Sequence, residues 1–395
     1  MEARQSPRSD DCPVPSGPEA EPAQMQRQLD YLCLQPTRQG QASYAHVNEI
    51  VAGLRRRGWD VRLIEPPHPR RRRADGVRRA IAAVVVQAQY WARCRLQPAP
   101  FVYIRTHFLS LPTAFLARAS GALVVQEVNG PLEDTYDAWP QLRRLHRLIS
   151  FAVRTQLRWA DAVITVTPGL TEYVAGITGR RRACHVVGNG ANVDQFVPST
   201  DRVGADRRPY VVFVGALATW QGIDVALRAT QAASWPPTVD LLIAGDGRER
   251  PLIESAQRAS SRIRWLGAIP YRQSATLMAE SLAALVPKAD GPSARFGLSP
   301  LKLFEAMACG VPVIASDLPG LRDVVQAHDC GLIFVPGDAD ALAQAVARIA
   351  GDPGEAAEMG SRGRAAAVAL YSWDARAGQT EQILLEIGRK SCAGR

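Results

Sequence analysis

The chain has 395 residues, 47% hydrophobic and 22% charged, which is ordinary globular composition and enough for two domains with sizeable cores. A formal net charge of +9, from 47 Lys and Arg against 38 Asp and Glu, favours anionic partners: a phosphorylated ligand, an anionic membrane or nucleic acid. The seven cysteines (Cys12, Cys33, Cys94, Cys184, Cys309, Cys330, Cys392) share no C-x-x-C spacing, which argues against a disulfide framework or zinc site and for a reducing cytoplasm.

Residues 1–28 are rich in Pro, Ser, Glu and Gln and are expected to be a disordered tail. The longest apolar run, "AIAAVVV" at 80–86, falls far short of the ~20 residues a membrane span needs. "LDYLCLQP" (29–36) reads as a strand, "SYAHVNEIVAGLRRRGW" (43–59) as a helix ending near Gly58, and "DVRLIEP" (60–66) as the next strand. A basic segment, 69–97, follows. Strands are then expected at 101–107, 122–129, 162–168 and 184–190, with helices at 110–120, 139–159 and 169–178. The polar stretch 202–209 reads as a linker. The rhythm then restarts, with strands at 210–216, 239–247, 263–269, 282–288, 311–316 and 331–336. This alternation predicts two doubly wound α/β domains, 29–204 and 205–370, facing across a cleft. A last helical stretch, 371–395, packs back on one of them. In such open sheets ligands bind at the carboxyl ends of the strands, near the switch point.

One segment stands out there: "FGLSPLKLFEAMACG", residues 296–310. Ser299 suits an N-cap, Pro300 the first helical position and Gly310 the C-terminal stop. Its charges, Lys302 and Glu305, lie three apart and share a face. A cation in a helix's first turn opposes the dipole by ~0.3–1 kcal/mol, so Lys302 makes sense if an anion shares the site. Gly297 clears the approach, and Glu305 can accept hydrogen bonds from sugar hydroxyls. The alternative is a solvated Lys–Glu pair on an exposed face.

"SPLKLFEAMACGVPVIASDLPGLRDVV" (299–325) resembles the donor-binding segment of the family-4 retaining glycosyltransferases, which have the GT-B fold of two Rossmann-like domains. "HVNEIVAGLRRRGWDVRLI", "VVQEVNGP", "ADAVITVTPGLTEYV", "VVGNGANVDQFVP", "VVFVGALATWQGIDVAL", "LLIAGDGRERPLI", "WLGAIP" and "GLIFVPGDADALAQAV" match the family in order along the chain. The resemblance implies metal-independent transfer of a sugar from a nucleoside diphosphate donor to a glycan, lipid-linked or small-molecule acceptor, with retention. No other cofactor is implied. The second domain would hold the donor: Glu305 on the ribose, the backbone from Gly267 to Ile269 on the base, and the loop Arg295, Gly297, Leu298, Ser299 to Lys302, with the Gly215–Ala216 turn, on the diphosphate. Gly40 and Gly247 are also assigned to the donor. His107 corresponds to a family histidine on the transferred sugar, with Arg105, Glu127 and Asn129 near the acceptor.

The chain departs from the family at three positions. Gly297 stands where the first of two Glu residues is usual, and Ala216 and Gln221 where Arg and Lys usually meet the diphosphate. Lys302 and Arg295 are the available replacements. A non-catalytic partner subunit and a sugar-nucleotide epimerase are the competing readings.

The Arg-rich segments 69–97 and 141–159 suit peripheral contact with anionic lipid at the inner membrane face, a phosphorylated acceptor, or solvated amphipathic helices. No nucleic-acid module accompanies the Arg run at 70–73. His46 reads as a core or interface residue and Gly190 as a turn glycine. "DAD" (338–340) reads as a helix cap, so no metal is assigned.

Overall fold

Short runs of Val, Ile, Leu, Phe and Tyr, bounded by Gly, Pro and polar residues, form strands because branched and aromatic side chains pack well on a pleat covered on both faces. The computed structural model describes residues 27–35, 37, 42–66, 76–179, 183–199 and 208–393. Most of the expected tail, the Arg run at 70–73, Gly40 and most of the expected linker lie outside these residues. Strand β1 begins at Gln28, one residue before the expected boundary.

The first half contains β1 (Gln28–Cys33), α1 (Ala42–Arg56), β2 (Asp60–Ile64), α2 (Gly76–Leu96), β3 (Phe101–Arg105) and α3 (Leu111–Ala119). It continues with β4 (Leu123–Val128), α4 (Leu132–Ala138), α5 (His146–Trp159), β5 (Ala162–Thr165), α6 (Pro168–Thr178) and β6 (Cys184–Val186). The second half runs β7 (Tyr210–Val214), α7 (Ile223–Ala229), β8 (Asp240–Ala244), α8 (Arg250–Ala259), β9 (Ile263–Trp265), α9 (Tyr271–Ala279) and β10 (Ala283–Val286). Then come α10 (Leu301–Ala308), β11 (Val313–Ser316), α11 (Leu321–His328), β12 (Gly331–Phe334), α12 (Ala339–Gly351), α13 (Pro353–Leu370) and α14 (Trp373–Ala393).

Two six-stranded parallel sheets result, ordered β2-β1-β3-β4-β5-β6 and β12-β11-β10-β7-β8-β9. Each order reverses once, between β1 and β3 in the first sheet and between β7 and β10 in the second. Those crevices are where ligands bind in open α/β sheets. Helices cover both faces of each sheet, which gives the second domain two separate apolar clusters. Helix α14 crosses back: Trp373, Ile383, Leu384 and Ile387 join the core built by β1, β3 and α1.

The carboxyl edges of the two sheets face each other and touch. Thr167 Oγ1, at the N-cap of α6, donates to Phe296 O at 2.6 Å. Ser293 of the loop before α10 bonds Asp134 of α4. Asn189, after β6, donates through its backbone N–H to Ser299 Oγ at 3.0 Å and through Nδ2 to Ser299 O at 2.5 Å.

Two local expectations give way here. Ser299 does not cap α10; the N-cap is Pro300, and the Ser299 hydroxyl and carbonyl tie the two domains together. Gly190 has no left-handed backbone; it is glycine because a Cβ would press on Tyr371 O, where the chain crosses between domains. Asp338 caps α12, accepting from Ala341 N at 2.9 Å.

Candidate functional site

Helix α10 buries both of its charges. Lys302 is 8% exposed and Glu305 is 5% exposed. The Lys302 ammonium lies over the Phe213 ring, 3.8 Å from its centroid, and donates to Gln221 Oε1 at 3.1 Å. It forms no ion pair among the described residues. Gly215, just past β7, leaves room for it: a Cβ there would sit 3.0 Å from Lys302 Nζ. The Gln221 side-chain carbonyl thus holds Lys302 in place. Glu305 Oε1 accepts from Tyr271 OH at 2.7 Å. Burial, offset in part by the Tyr271 bond and Lys302, pushes the Glu305 carboxyl up to about 7. Burial, then the nearby Lys288, hold the Lys302 ammonium well below the ordinary lysine value, against the pull of Glu305.

The loop before α10, which the resemblance assigns to the diphosphate, has several backbone N–H groups. Three of them are spent: Phe296 N on Ser293 O, Gly297 N on Ala294 O and Leu298 N on Pro319 O. Gly297 has φ 85°, and a Cβ there would lie 3.2 Å from Thr167 Cβ, so the backbone and the neighbouring domain together favour glycine. This is a physical reason for the missing Glu. Arg295 is exposed and its guanidinium rests on the Phe296 ring at 4.6 Å. Ala216 is exposed beside Gly215.

The turns after β7, β8 and β9 lie against one another. Gly245 N donates to Gly267 O at 2.7 Å, and a Cβ on Gly245 would collide with Gly215 O. Gly247 spaces its turn from Leu217, whose carbonyl a Cβ would strike, so backbone packing alone accounts for the glycine. Trp265 Nε1 donates to Gly245 O at 3.0 Å, and Ile269 is half-buried beyond Gly267.

Across the cleft, a cavity of about 320 Å³ is lined by Arg105, His107, Asn129, Asp134, Trp139 and Tyr173 among others. His107 caps the turn Phe108–Ser110: its Nδ1 accepts from Leu109 N at 3.2 Å. Burial pushes its pKa down to about 4, so the ring is neutral with its proton on Nε2, free to donate.

Glu127 does not face that cavity as expected. It is 1% exposed and takes five donors: Tyr31 OH (3.1 Å), Tyr103 OH (2.6 Å) and His46 Nε2 (3.0 Å) on Oε2, Arg105 (3.0 Å) and Asn129 on Oε1. Burial raises its pKa, but His46, Arg105 and Asn129 outweigh it and hold the carboxyl well below the usual range. No lone pair is left for a sugar hydroxyl. Arg105 and Asn129 reach the cavity wall while anchored on Glu127. His46, which the sequence places in the core or at an interface, is buried and is the hub of this network. Its Nδ1 meets Asn189 Oδ1 at 2.7 Å, so one chain of bonds, buried at Glu127 and His46 and half-buried beyond, runs Glu127–His46–Asn189–Ser299 to the start of α10.

Three comparisons bear on this arrangement. Residues 42–190 match the family described as "Glycosyl transferase 4-like domain" and residues 208–352 the family described as "Glycosyl transferases group 1". The alpha-maltose-1-phosphate synthase of Mycolicibacterium smegmatis is 30% identical over 64% of this chain and 69% of its own length. A GDP-mannose-dependent alpha-(1-6)-phosphatidylinositol monomannoside mannosyltransferase of that organism is 28% identical over 57% of this chain and 62% of its length. Among solved structures, sucrose-phosphate synthase from Thermosynechococcus elongatus superposes with a TM-score of 0.75 over 93% of this chain and all of its own, at 21% identity. The Anabaena protein HepE in complex with UDP-glucose gives 0.67 over 91% and 99%, at 19%. The fold, two facing Rossmann-like domains, is GT-B, and with it the sequence matches lead to one placement: the chain belongs to the group 1 glycosyltransferases.

Proposed function

We propose that this glycosyltransferase is a retaining, metal-independent member of family 4 that takes its sugar from a nucleoside diphosphate donor. The observation that carries the reading is the buried pair on α10. Lys302 and Glu305 sit at the β7/β10 crevice, and among the described residues neither has a countercharge within ion-pair distance. Glu305 suits the ribose hydroxyls and Lys302 the diphosphate. As the bond from the sugar to the diphosphate breaks, negative charge grows on the leaving oxygens. A cation fixed between Phe213 and Gln221, in a site largely out of water, stabilises that charge more than the ground state. His107 Nε2–H, on the facing wall, donates to the transferred sugar. The cavity around Arg105, Asn129 and Trp139 takes the acceptor. Ala216, Arg295, Gly297, Leu298 and Ser299 border the donor, and Gly267 with Ile269 the base.

The names of relatives support the donor class. One is named as GDP-mannose-dependent, and a fold neighbour is described with UDP-glucose. Neither an epimerase nor a non-catalytic subunit is favoured by any of these matches. The test offers purified protein a panel of UDP- and GDP-sugars, with and without EDTA. Nucleoside diphosphate release is followed, and the anomeric configuration of the product is read by NMR. An inverted product, or release abolished by EDTA, sinks the retaining, metal-free reading.

The acceptor side carries a surface suited to an anionic bilayer. No helix of the described residues is long and apolar enough to cross a membrane. Neighbouring helices α2, α3 and α5 nevertheless expose Val84 (61%), Leu96 (83%), Phe115, Leu148 (64%), Phe151 and Trp159. Trp91, Phe115 and Trp159 line one shallow apolar groove. Exposed Arg93, Arg95, Arg147 and Arg154 stand on the same helices, and apolar area ringed by cations complements anionic lipid. On this reading the enzyme works at the cytoplasmic membrane face on a lipid-linked acceptor.

A further inference from the structure

We propose that Lys288, the second residue past β10, is a diphosphate-binding residue that works beside Lys302 and supplies the charge that Ala216 and Gln221 leave missing. This rests on the donor-site reading above and extends it to a residue which nothing in the motif points to.

Position comes first. Lys288 follows β10 and Gly215 follows β7, so the two flank the crevice where the strand order of the second sheet reverses. The chain after β10 lies directly against the turn after β7. Ala289 N donates to Trp220 O at 3.2 Å, and a Cβ on Gly222 would collide with Pro287 O. Gln221, between those two contacts, is the residue that holds Lys302 Nζ. The backbone therefore brings Lys288 to the same strip of the crevice as Lys302.

Charge comes second. Lys288 is half-buried, and among the described residues its ammonium has no ion pair and no hydrogen-bond acceptor. The charged group whose titration feels Lys288 is Lys302 of α10, with Glu305 one turn further along that helix; Asp290, on the same loop as Lys288, is exposed and accepts from Gly291 N. Glu305 is already engaged by Tyr271. Burial pushes Lys288 down to about 8, and Lys288 in turn helps to hold Lys302 down. Two desolvated cations side by side cost stability when nothing offsets them, and a dianion placed between them removes that cost. The other cation expected here, Arg295, is occupied on Phe296, and three nearby loop amides are spent on carbonyls. Lys302 and Lys288 together supply positive charge at this strip of the crevice.

The test is calorimetric binding of UDP and GDP, each beside its own nucleoside, to wild type, Lys288→Gln and Lys288→Arg. Lys288→Gln is expected to weaken the diphosphate about tenfold or more and leave the nucleoside unchanged, while Lys288→Arg retains most of the affinity. Wild-type diphosphate affinity should also fall as pH rises from 7.5 to 9.5, with proton uptake on binding. A depressed lysine must be recharged to meet the anion, and in Lys288→Arg that fall becomes shallower. Wild-type binding with an unchanged Lys288→Gln overturns the proposal alone. A wild type that binds neither diphosphate overturns the donor reading, and this inference with it.

Discussion

Each domain buries a carboxylate near the cleft, and the two are treated in opposite ways. Glu127 in the first domain receives five donors and is held below the ordinary carboxylate range. Glu305 in the second receives one, from Tyr271, and is pushed up to about 7, beside a lysine pushed down. A buried polar cluster that is fully satisfied fixes geometry, and one left short holds capacity for something else. By that criterion Glu127 is scaffold: it orients Arg105 and Asn129 and, through His46 and Asn189, the start of α10. The α10 pair, left short of partners, is the place the proposed function gives to the donor.

The contrast can be broken by mutation. The largest effect is expected from Glu127→Ala, which strands His46 and Arg105 inside the domain. Stability should drop by about 3–5 kcal/mol in denaturant titration. Because the folded-state pKa of Glu127 is depressed, its contribution is present above the unfolded value near 4.5 and is lost as pH falls toward the folded one. Acid unfolding of Glu127→Gln should accordingly be less steep than that of wild type. A Glu127→Ala variant as stable as wild type would remove the distinction.

Lys302→Met should do the reverse. Turnover falls by about 100–1000-fold, the range for losing one fixed charge on a leaving group, while the melting temperature holds or rises. Next comes pH. Glu305 has a raised folded-state pKa, so its contribution to stability is full below the unfolded value of 4.5 and is lost as pH rises through about 7. Melting temperatures of Glu305→Gln measured between pH 4.5 and 8 should lack that part of the decline. The smallest effect concerns the outer face of the first domain. Leu148→Ser with Phe151→Ser should weaken co-sedimentation with phosphatidylserine vesicles roughly tenfold, with donor binding unchanged. Equal binding by wild type to neutral and anionic vesicles, or no binding at all, removes the membrane contact.

All twelve strands were legible in the sequence, because each is a short β-branched or aromatic run closed by a breaker. Strand ends were overdrawn by a few residues, since "LDYLCLQP" and "LAALVPK" continue apolar past the last ladder bond. Helix α4 was missed; seven residues with four polar ones carry little periodicity. Lys302 and Glu305 were legible because one helix presents both. The Glu127 hub was not, since Tyr31, His46 and Tyr103 converge on it from two other strands and a helix, and no local pattern encodes that convergence. Ser299 was misread as a cap because its hydroxyl meets a residue 110 positions away. Lys288 gave no signal either: one lysine after a strand is ordinary until the fold sets it beside Lys302.

The return of α14 to the first domain has a consequence for biosynthesis. While the nascent chain emerges, the amino-terminal half lacks Trp373, Ile383, Leu384 and Ile387, so its β1–α1 face stays unsealed until the second domain has been made. The two lobes are thereby completed together rather than in turn. The first lobe expressed alone should be sticky and poorly soluble, and a separately supplied peptide beginning at Trp373 should rescue it.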